Sequence, residues 1–241
     1  MTKEVSWFSG GVSSFIACYL REDTLDEIVY IDIDDQHPDT IRFLKDCEEV
    51  LGKEITILKS PIANVENVVR KSKFINSPYG APCTKILKKK VRQEWEKKQS
   101  EVITYVWGYD STEQHRAKRL AESMWEYEHV FPLIEHNLSK NEVHGLLFKL
   151  GVKRPAMYDM GYKNNNYVGC VKGGMGYWNK IRKDFLEVFE SRAKLEREIG
   201  ASCIKGVFLD ELDQNRGRLE NEIMSECGIM CEIVYSRNFA L

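Results

Sequence analysis

The sequence lacks the features that mark several large classes of protein. Its first residues, MTKEVSWFSGGVSS, have no basic start followed by an apolar run and a small-residue cleavage site, as a secretory signal would. No apolar stretch is long enough to span a membrane. The formal net charge is only -2, which gives no electrostatic reason to expect a polyanion as partner. We therefore expect a cytoplasmic protein that binds neither membrane nor nucleic acid.

Patterns for metal sites and disulfide scaffolds are also missing. No two of the 5 histidines have a spacing such as H-x-x-x-H, which argues against a zinc site. The 7 cysteines are too few and too irregularly spaced for a secreted disulfide scaffold. Three of them have apolar neighbours, and we assign these to core packing: Cys18, Cys47 and Cys203.

Short β-rich runs alternate with helical patterns through the first part of the chain. Short β-rich runs are EVSWFS, EIVYIDI, EITILKS, EVITYVWGY and EHVFPL. Helical patterns lie between them near 12–21, 39–51, 62–72, 84–98 and 111–123, and follow them in SKNEVHGLLFKLGV, which Ser139 and Glu142 open as a capping box. This alternation predicts an α/β fold with a doubly wound, mostly parallel sheet of about five strands and helices on both faces.

The pattern changes after Gly151. The segment YKNNNYVGCVKGGMGYW is typical of loops, and its glycines either drape over a nucleotide or make a tight connection into the next helix. We predict one long amphipathic helix near 179–199, then a mobile link in LDELDQNRGRLENE. The predicted domains are a nucleotide-binding α/β domain over 1–200 and a mobile C-terminal tail over 201–241.

One segment has the composition of a phosphate-binding loop. It follows the first strand and opens the first helix, where free backbone N–H groups and the helix dipole favour an anion. Glycines let the backbone approach a ligand, and serine hydroxyls add donors. Bare chain reversal is the alternative explanation for the two glycines. The predicted nucleotide-binding residues here are Ser9, Gly10, Gly11, Ser13 and Ser14.

Acidic residues cluster at the end of the second strand. Ligands of open α/β sheets bind at the carboxyl ends of strands, so Asp32 and Asp34 are candidates to hold Mg²⁺ or to bind the adenosine. Together with Asp35 they are explained nearly as well as residues that turn the chain into the helix beginning near Pro38.

Several motifs in order resemble one family. SGGVSS resembles the SGGxDS signature of the PP-loop (adenine nucleotide alpha hydrolase-like) superfamily, with Ser13 where Asp is usual. YIDIDDQHPDTIRFL, GYDSTEQHRAKRL and PLIEHNLSKNEVHGLL resemble segments of its sulfonucleotide reductases. Glu226-Cys227-Gly228-Ile229 is similar to the Glu-Cys-Gly tail of phosphoadenylyl-sulfate (PAPS) reductases. The chain thus resembles the PAPS reductase family.

That resemblance implies a thiol mechanism in sulfate assimilation. Cys227 would attack the sulfate sulfur of PAPS or adenylyl sulfate (APS), and thioredoxin or glutaredoxin would release sulfite. Cys231, four residues later, is either a resolving thiol or a buried apolar residue. The anionic substrate needs cationic clamps; the candidates are Arg116, which lies in the family motif, and Lys85, Lys88, Arg216 and Arg218. Dimers are common in the family, which makes a homodimer an expectation.

Some relatives in the superfamily hold a 4Fe-4S cluster on a Cys-Cys pair and a distant Cys-x-x-Cys. Here Cys83 and Cys170 keep one cysteine of each half. If a cluster is bound, its ligands would be Cys83, Cys170, Cys227 and Cys231, and the tail cysteines would not serve freely as nucleophiles. We favour a protein without a cofactor, in which Cys83 and Cys170 line the site.

Three departures from the family pattern keep other functions open. Besides Ser13, Asp110 stands where the family has arginine, and Met230 replaces the tail histidine. The alternatives are an ATP-dependent sulfurtransferase or ATP pyrophosphatase of the PP-loop type, with or without an iron–sulfur cluster, and a catalytically degenerate nucleotide-binding module.

Overall fold

The computed structural model describes residues 2–77 and 80–222 of the chain. Its strands are β1 (Thr2–Phe8), β2 (Glu27–Asp32), β3 (Ile55–Lys59), β4 (Val102–Val106) and β5 (Glu128–Val130). Its α-helices are α1 (Val12–Tyr19), α2 (Asp39–Leu51), α3 (Val65–Ser72), α4 (Lys90–Glu96), α5 (Gln114–Ser123), α6 (Pro132–Glu135), α7 (Lys140–Lys149), α8 (Ala156–Asp159), α9 (Met175–Asp184) and α10 (Leu186–Ile199). A π-helix spans Thr84–Lys89, and 3₁₀ turns span Ser111–Glu113, Leu209–Glu211 and Leu219–Asn221.

Contacts divide the chain into two compact units. Within the described residues, the sheet unit consists of 2–32, His37–Lys59 and Val91–Asn165. Within the described residues, the helical unit consists of Ile33–Gln36, 60–77, 80–90 and 166–222. The predicted division between 200 and 201 remains a prediction.

The sheet unit contains a five-stranded sheet in the order β3-β2-β1-β4-β5, and every pair is parallel. This confirms the α/β class and the predicted number of strands. The chain moves from β1 outward to β2 and β3, then returns to the other side of β1 as β4. The strand order therefore reverses between β1 and β4, and ligands of doubly wound sheets bind at the carboxyl ends of the strands at such a switch point.

Both faces of this sheet are covered by helices, as predicted. Successive side chains of a strand point to opposite faces, and Trp7 and Phe8 of β1 show the two sides. Phe8 stacks on Phe43 of α2, with ring centroids 6.3 Å apart. Trp7 packs edge-on against Trp95 of α4, at 5.3 Å between centroids.

Local signals predicted several helix ends correctly. The helix over 39–51 has those bounds in the structure, and Gly52 ends it in the left-handed conformation at φ 59°. The capping box of Ser139 and Glu142 is formed at the start of α7. Among the described residues no helix combines the length and the apolar character that crossing a membrane requires.

The prediction of one long helix near 179–199 is wrong. Phe185, at φ -143° and ψ 63°, has left the helical conformation, and its N–H closes α9 on the Ile181 carbonyl at 2.8 Å. The same residue is the N-cap of α10. The amphipathic pattern continues across the break, since both helices bury apolar residues in the helical unit, so the pattern alone did not reveal it.

The segment predicted as a mobile link is anchored as far as Glu222. The buried carboxylate of Glu196 accepts the N–H groups of Cys203 at 2.5 Å and Leu209 at 2.6 Å. Asn179 Nδ2 donates to the carbonyls of Asp213 at 2.9 Å and Arg216 at 2.7 Å. Residues 223–241 lie outside the described part of the chain.

Candidate functional site

The predicted phosphate loop lies at the switch point of the sheet unit. It connects the carboxyl end of β1 to α1, a helix of 8 residues. Gly10 has φ 77°, a left-handed conformation that glycine adopts without strain. Gly11 is the N-cap of α1 and has no side chain to cap the helix. Within the described chain, the first-turn N–H groups of Val12, Ser13 and Ser14 have no acceptor, so this turn is suited to an anion.

Serine hydroxyls brace the loop from inside. Ser14 Oγ donates to the Gly11 carbonyl at 2.8 Å and accepts the Ser9 N–H at 3.2 Å. Ser9 Oγ lies 2.9 Å from Ser14 Oγ and accepts the Gly11 N–H at 3.3 Å. Ser13, which replaces the family's aspartate, is buried, and its hydroxyl has no partner among the described residues. Ser9 and Ser14 thus stabilise the loop, whereas the Ser13 hydroxyl makes no hydrogen bond to the described residues.

Gly108 holds the end of β4 against the loop. A Cβ atom on Gly108 would lie 2.6 Å from the Ser14 nitrogen and 2.7 Å from the Ser13 carbonyl carbon. Only a residue without a side chain allows this approach. Gly108 therefore lets the segment after β4 pack directly against the phosphate loop. In the sequence, its position in the family motif was the only sign of this role.

Asn165 is a second neighbour of the loop, and sequence reasoning missed it. The residue is buried, and its Nδ2 donates to the Gly10 carbonyl at 2.8 Å. The segment NNN looks like an ordinary polar loop, so its only signal was its composition.

The acidic residues after β2 have different surroundings. Asp32 ends β2. Burial, and after it the charge of Asp32, raises the pKa of the Tyr30 hydroxyl in the sheet unit. Asp34 is exposed in the helical unit, and its N–H donates to the Ala63 carbonyl at 3.1 Å. Asp35 accepts the Val65 N–H at 2.6 Å and lies 3.4 Å from buried Arg192, so it has a structural role. The nucleotide roles of Asp32 and Asp34 remain predictions.

The family's arginine position is filled by a capping aspartate. Asp110 is buried, and its Oδ1 accepts the Thr112 N–H at 2.9 Å and the Thr112 hydroxyl at 2.6 Å. The predicted clamp Arg116 is also buried; it pairs with Glu113 and stacks 4.8 Å above the Tyr109 ring. Its role toward substrate remains a prediction, and any anion would compete with Glu113 for it.

Two lysines of the helical unit differ in exposure. Lys85 is exposed, whereas Lys88 is buried with its Nζ 4.6 Å from the centre of the Tyr167 ring. Both belong to the π-helix, a rare conformation that is frequent at functional sites. A buried ammonium over an aromatic face is a better-ordered anion ligand than an exposed one, because it loses less side-chain entropy on binding.

The glycine-rich segment before α9 is covered by the chain itself. Glu222 accepts the N–H groups of Gly174 at 3.0 Å, Gly176 at 2.6 Å and Tyr177 at 3.2 Å. A Cβ on Gly176 would lie 2.5 Å from the Leu219 nitrogen. Of the two explanations for these glycines, the structure favours a tight connection. The predicted clamps Arg216 and Arg218 lie in this covering segment, and both are exposed.

The cysteines of the described chain are all buried. Core packing is confirmed for Cys18, Cys47 and Cys203, and burial raises the pKa of the Cys18 thiol to about 12. Cys83 precedes the π-helix, and the Cys170 N–H donates to the Tyr177 hydroxyl at 3.0 Å. Within residues 2–77 and 80–222, no three His, Cys, Asp or Glu side chains are placed to hold a metal ion. Cys227 and Cys231 lie outside the described residues, so a cluster that includes them remains untested.

Comparisons with known proteins were made for the whole chain. The family model of the phosphoadenosine phosphosulfate reductase domain matches residues 3–173. A search of curated proteins finds no match.

Three solved structures are similar to the chain at low identity. The phosphate complex of PAPS reductase from Candida auris is 14% identical, with a TM-score of 0.47, over 67% of this chain and 78% of that one. NMN synthetase from Francisella tularensis is 13% identical, with a TM-score of 0.45, over 82% and 86%. A predicted subunit of a tRNA methyltransferase from Methanocaldococcus jannaschii is 16% identical, with a TM-score of 0.35, over 65% and 91%.

Proposed function

Because the chain belongs to the phosphoadenosine phosphosulfate reductase domain family, whose model matches residues 3–173, we propose that it is a sulfonucleotide reductase. Its substrate is PAPS, or APS if the 3′-phosphate is not required. The products from PAPS are sulfite and adenosine 3′,5′-bisphosphate. The electron donor is thioredoxin or glutaredoxin, which places the enzyme in the cytoplasm, where thiols are kept reduced.

The observation that carries the proposal is the open first turn of α1. Its N–H groups have no acceptor within the described chain, and it lies where the strand order reverses between β1 and β4. A helix start in this position is a binding site for phosphate or sulfate. This supports an adenine nucleotide with anionic groups as the ligand.

The reaction needs a nucleophile and anion stabilisation. The Cys227 thiolate attacks the sulfur of the sulfonate, an S–S bond forms, the S–O bond to the phosphate breaks, and the nucleotide leaves with that electron pair. One thiol of the dithiol donor then attacks Cys227 Sγ and releases sulfite. The second donor thiol closes the donor's disulfide and frees Cys227, so the donor supplies both electrons.

Positive charge must balance the leaving phosphate and the sulfonate. Our main candidates for this role are Arg216 and Arg218, which are exposed and precede Glu226, the first residue of the tail motif, by ten and eight residues. Lys85 and Lys88 are further candidates, and Arg116 contributes only if substrate displaces it from Glu113. Each charge-assisted hydrogen bond to such a group is worth about 1.5–3 kcal/mol.

Sulfite release tests the proposal directly. We expect reduced thioredoxin to support sulfite formation from PAPS by the purified wild-type protein and not by Cys227→Ser. Cys231→Ser is the matched control, because it removes a tail thiol of the same type; it should retain the S-sulfonate step, which mass spectrometry detects as a covalent adduct. An absorption spectrum recorded first shows whether the protein carries iron–sulfur colour.

Two other results would replace the proposal. A brown protein that hydrolyses ATP would point to the ATP-dependent enzyme of the same superfamily. Tight nucleotide binding with no sulfite from PAPS or APS would point to a binding module. Asp110 is the observation that favours this second function, because the family's arginine is replaced by a residue whose side chain is already used to cap the Ser111–Glu113 turn.

A further inference from the structure

We propose that Asn165 is the positioning residue of the phosphate loop. Its side-chain amide holds the Gly10 carbonyl, and so keeps the Gly10–Gly11 peptide in the orientation that leaves the start of α1 open to an anion. The inference rests on the proposed nucleotide-binding role of this loop. It adds a residue that lies outside the motifs that resemble the family.

The contact is direct and buried. Asn165 is 5% exposed, and its Nδ2 donates to the Gly10 carbonyl at 2.8 Å and lies 3.0 Å from Thr40 Oγ1. Thr40 is 1% exposed and belongs to the first turn of α2. Both residues are part of the sheet unit, as is the loop. Three segments far apart in the chain therefore meet at the Asn165 side-chain amide.

A peptide between two glycines needs such a constraint. Gly10 adopts φ 77°, and neither Gly10 nor Gly11 has a Cβ atom that would restrict rotation of the peptide between them. The carbonyl oxygen and the following N–H point in opposite directions from one rigid plane. Fixing the Gly10 carbonyl on Asn165 therefore fixes the Gly11 N–H, which among the described residues donates only to Ser9 Oγ, at 3.3 Å.

Packing alone does not explain an asparagine at this position. The Gly10 carbonyl can only accept, so the amide must present Nδ2 to it. Asn165 Oδ1 is then buried without a donor in the described chain. A buried acceptor without a donor lowers stability, and such groups in native proteins call for an explanation. We explain the buried Asn165 Oδ1 by the hydrogen bond that Nδ2 of the same amide donates to the Gly10 carbonyl.

The loop is closely packed at Gly10. A Cβ on Gly10 would lie 3.0 Å from Thr40 Cγ2 and 3.4 Å from Tyr30 Cε2. The loop thus rests against α2 and β2, and the hydrogen bond from Asn165 selects which way its peptide faces.

The test compares three variants by calorimetric binding of adenosine 3′,5′-bisphosphate, with inorganic sulfate as a second probe. N165D keeps the shape and loses the donor at neutral pH, where the carboxylate repels the Gly10 carbonyl. T40V removes the hydroxyl that orients the amide. T104V is the matched control, because Thr104 is a buried threonine of β4 whose hydroxyl faces Glu128 at 3.4 Å, away from the loop contacts.

We expect N165D to bind about tenfold or more weakly at pH 8, T40V about threefold more weakly, and T104V as the wild type does. Burial raises the pKa of an introduced carboxyl group. Once protonated it donates to the Gly10 carbonyl again, so the affinity of N165D relative to wild type should recover as the pH falls toward 5. Repulsion between the introduced carboxylate and the anionic probe would recover with pH in the same way, so the loss of affinity in T40V, which adds no charge, is required beside it.

The outcomes separate the two proposals. Wild-type affinity in folded N165D at pH 8, or a loss that is equal at every pH, would overturn the role of Asn165 and leave the loop's function intact. If N165D does not fold by circular dichroism, T40V decides: binding equal to that of T104V overturns the role. Wild-type protein that binds neither probe would overturn both proposals, whereas binding without sulfite release overturns only the reductase.

Discussion

Two glycine pairs precede helices in this protein, one in each unit, and their surroundings differ. Gly10-Gly11 leads into α1, whose first-turn N–H groups have no acceptor within the described chain. Gly173-Gly174 leads into α9, whose first N–H groups are bonded to the Glu222 carboxylate. The same short pattern thus gives an open helix start in one unit and a closed helix cap in the other. What decides between them is whether another part of the chain brings a carboxylate.

The largest expected effect is a loss of nucleotide affinity when a methyl group is added at Gly108, and Gly176→Ala in the other unit is its counterpart. Gly108→Ala places a Cβ 2.6 Å from the Ser14 nitrogen, so the phosphate loop must shift. We expect nucleotide affinity to fall about 100-fold, because displacements near 1 Å in a binding loop have effects of that size. Gly176→Ala places a Cβ 2.5 Å from the Leu219 nitrogen and 2.6 Å from the Arg218 carbonyl carbon in the helical unit. It therefore also shifts a proposed substrate clamp, and we expect a smaller loss of affinity, about tenfold, the value of one charge-assisted hydrogen bond.

Urea unfolding with calorimetric binding measures both effects. Each alanine should also lower the free energy of unfolding by about 1–3 kcal/mol, the usual cost of overpacking. Equal losses of nucleotide affinity in the two variants would mean that the two glycine segments do not differ in function.

Removing the carboxylate that caps the start of α9 should have a smaller effect, on the free energy of unfolding. Glu222→Ala removes the carboxylate that accepts three N–H groups at the start of α9. We expect the free energy of unfolding to fall by about 1–2 kcal/mol, as for other helix caps. Sulfate should then stabilise the variant more than wild type, because the freed helix start binds it.

Glu211→Ala is the control for this change. Glu211 is an exposed carboxylate of the same segment that pairs with Arg197 on the surface at 2.6 Å, where solvent screens the interaction and it contributes little to stability. Thermal unfolding over a sulfate series distinguishes the two variants. The same sulfate response in both would show that Glu222 does not occupy an anion site.

The smallest expected effect is on how the free energy of unfolding depends on pH, through one carboxyl group in each unit. In the sheet unit, the Arg42 guanidinium lowers the pKa of Asp39, so its contribution is present above pH 3.8 and is lost as the pH falls further. In the helical unit, burial raises the pKa of Glu196, so the folded state holds its proton more tightly. That contribution is lost as the pH rises above 4.5.

Urea unfolding of Asp39→Asn and Glu196→Gln between pH 3 and 6 should show slopes that change in opposite directions, each by on the order of 1 kcal/mol or less. Asp39→Asn should remove part of the loss on the acid side, and Glu196→Gln part of the loss above pH 4.5. Parallel pH profiles for both variants and wild type would contradict the difference between these carboxylates.

Local patterns predicted the features that depend on neighbours in sequence. The period of apolar residues revealed the five strands, and Ser139 with Glu142 revealed the start of α7. Both signals depend on residues that are only a few positions apart in the sequence. The break at Phe185 escaped this reasoning, because apolar residues on both sides continue one amphipathic pattern.

The candidate site was predicted in part for the same reason. The loop from Ser9 to Ser14 is one continuous segment, and its position between a strand and a helix is itself a local property. Asn165 lies 155 residues from Gly10, and no pattern in the segment NNN points to that contact. Arg116 was chosen from its motif, and its pairing with Glu113 depends on rotamers that a sequence does not specify.

The sequence by itself determined the fold class, the family and the place of the phosphate loop, because each follows from residue order over short distances. Only the tertiary structure decided that the start of α1 is open and that of α9 closed, since Glu222 lies 48 residues after Gly174. It also decided which side chain holds Gly10. Hydrogen bonds between distant segments form only once the chain has packed, and they are what distinguishes two similar glycine loops.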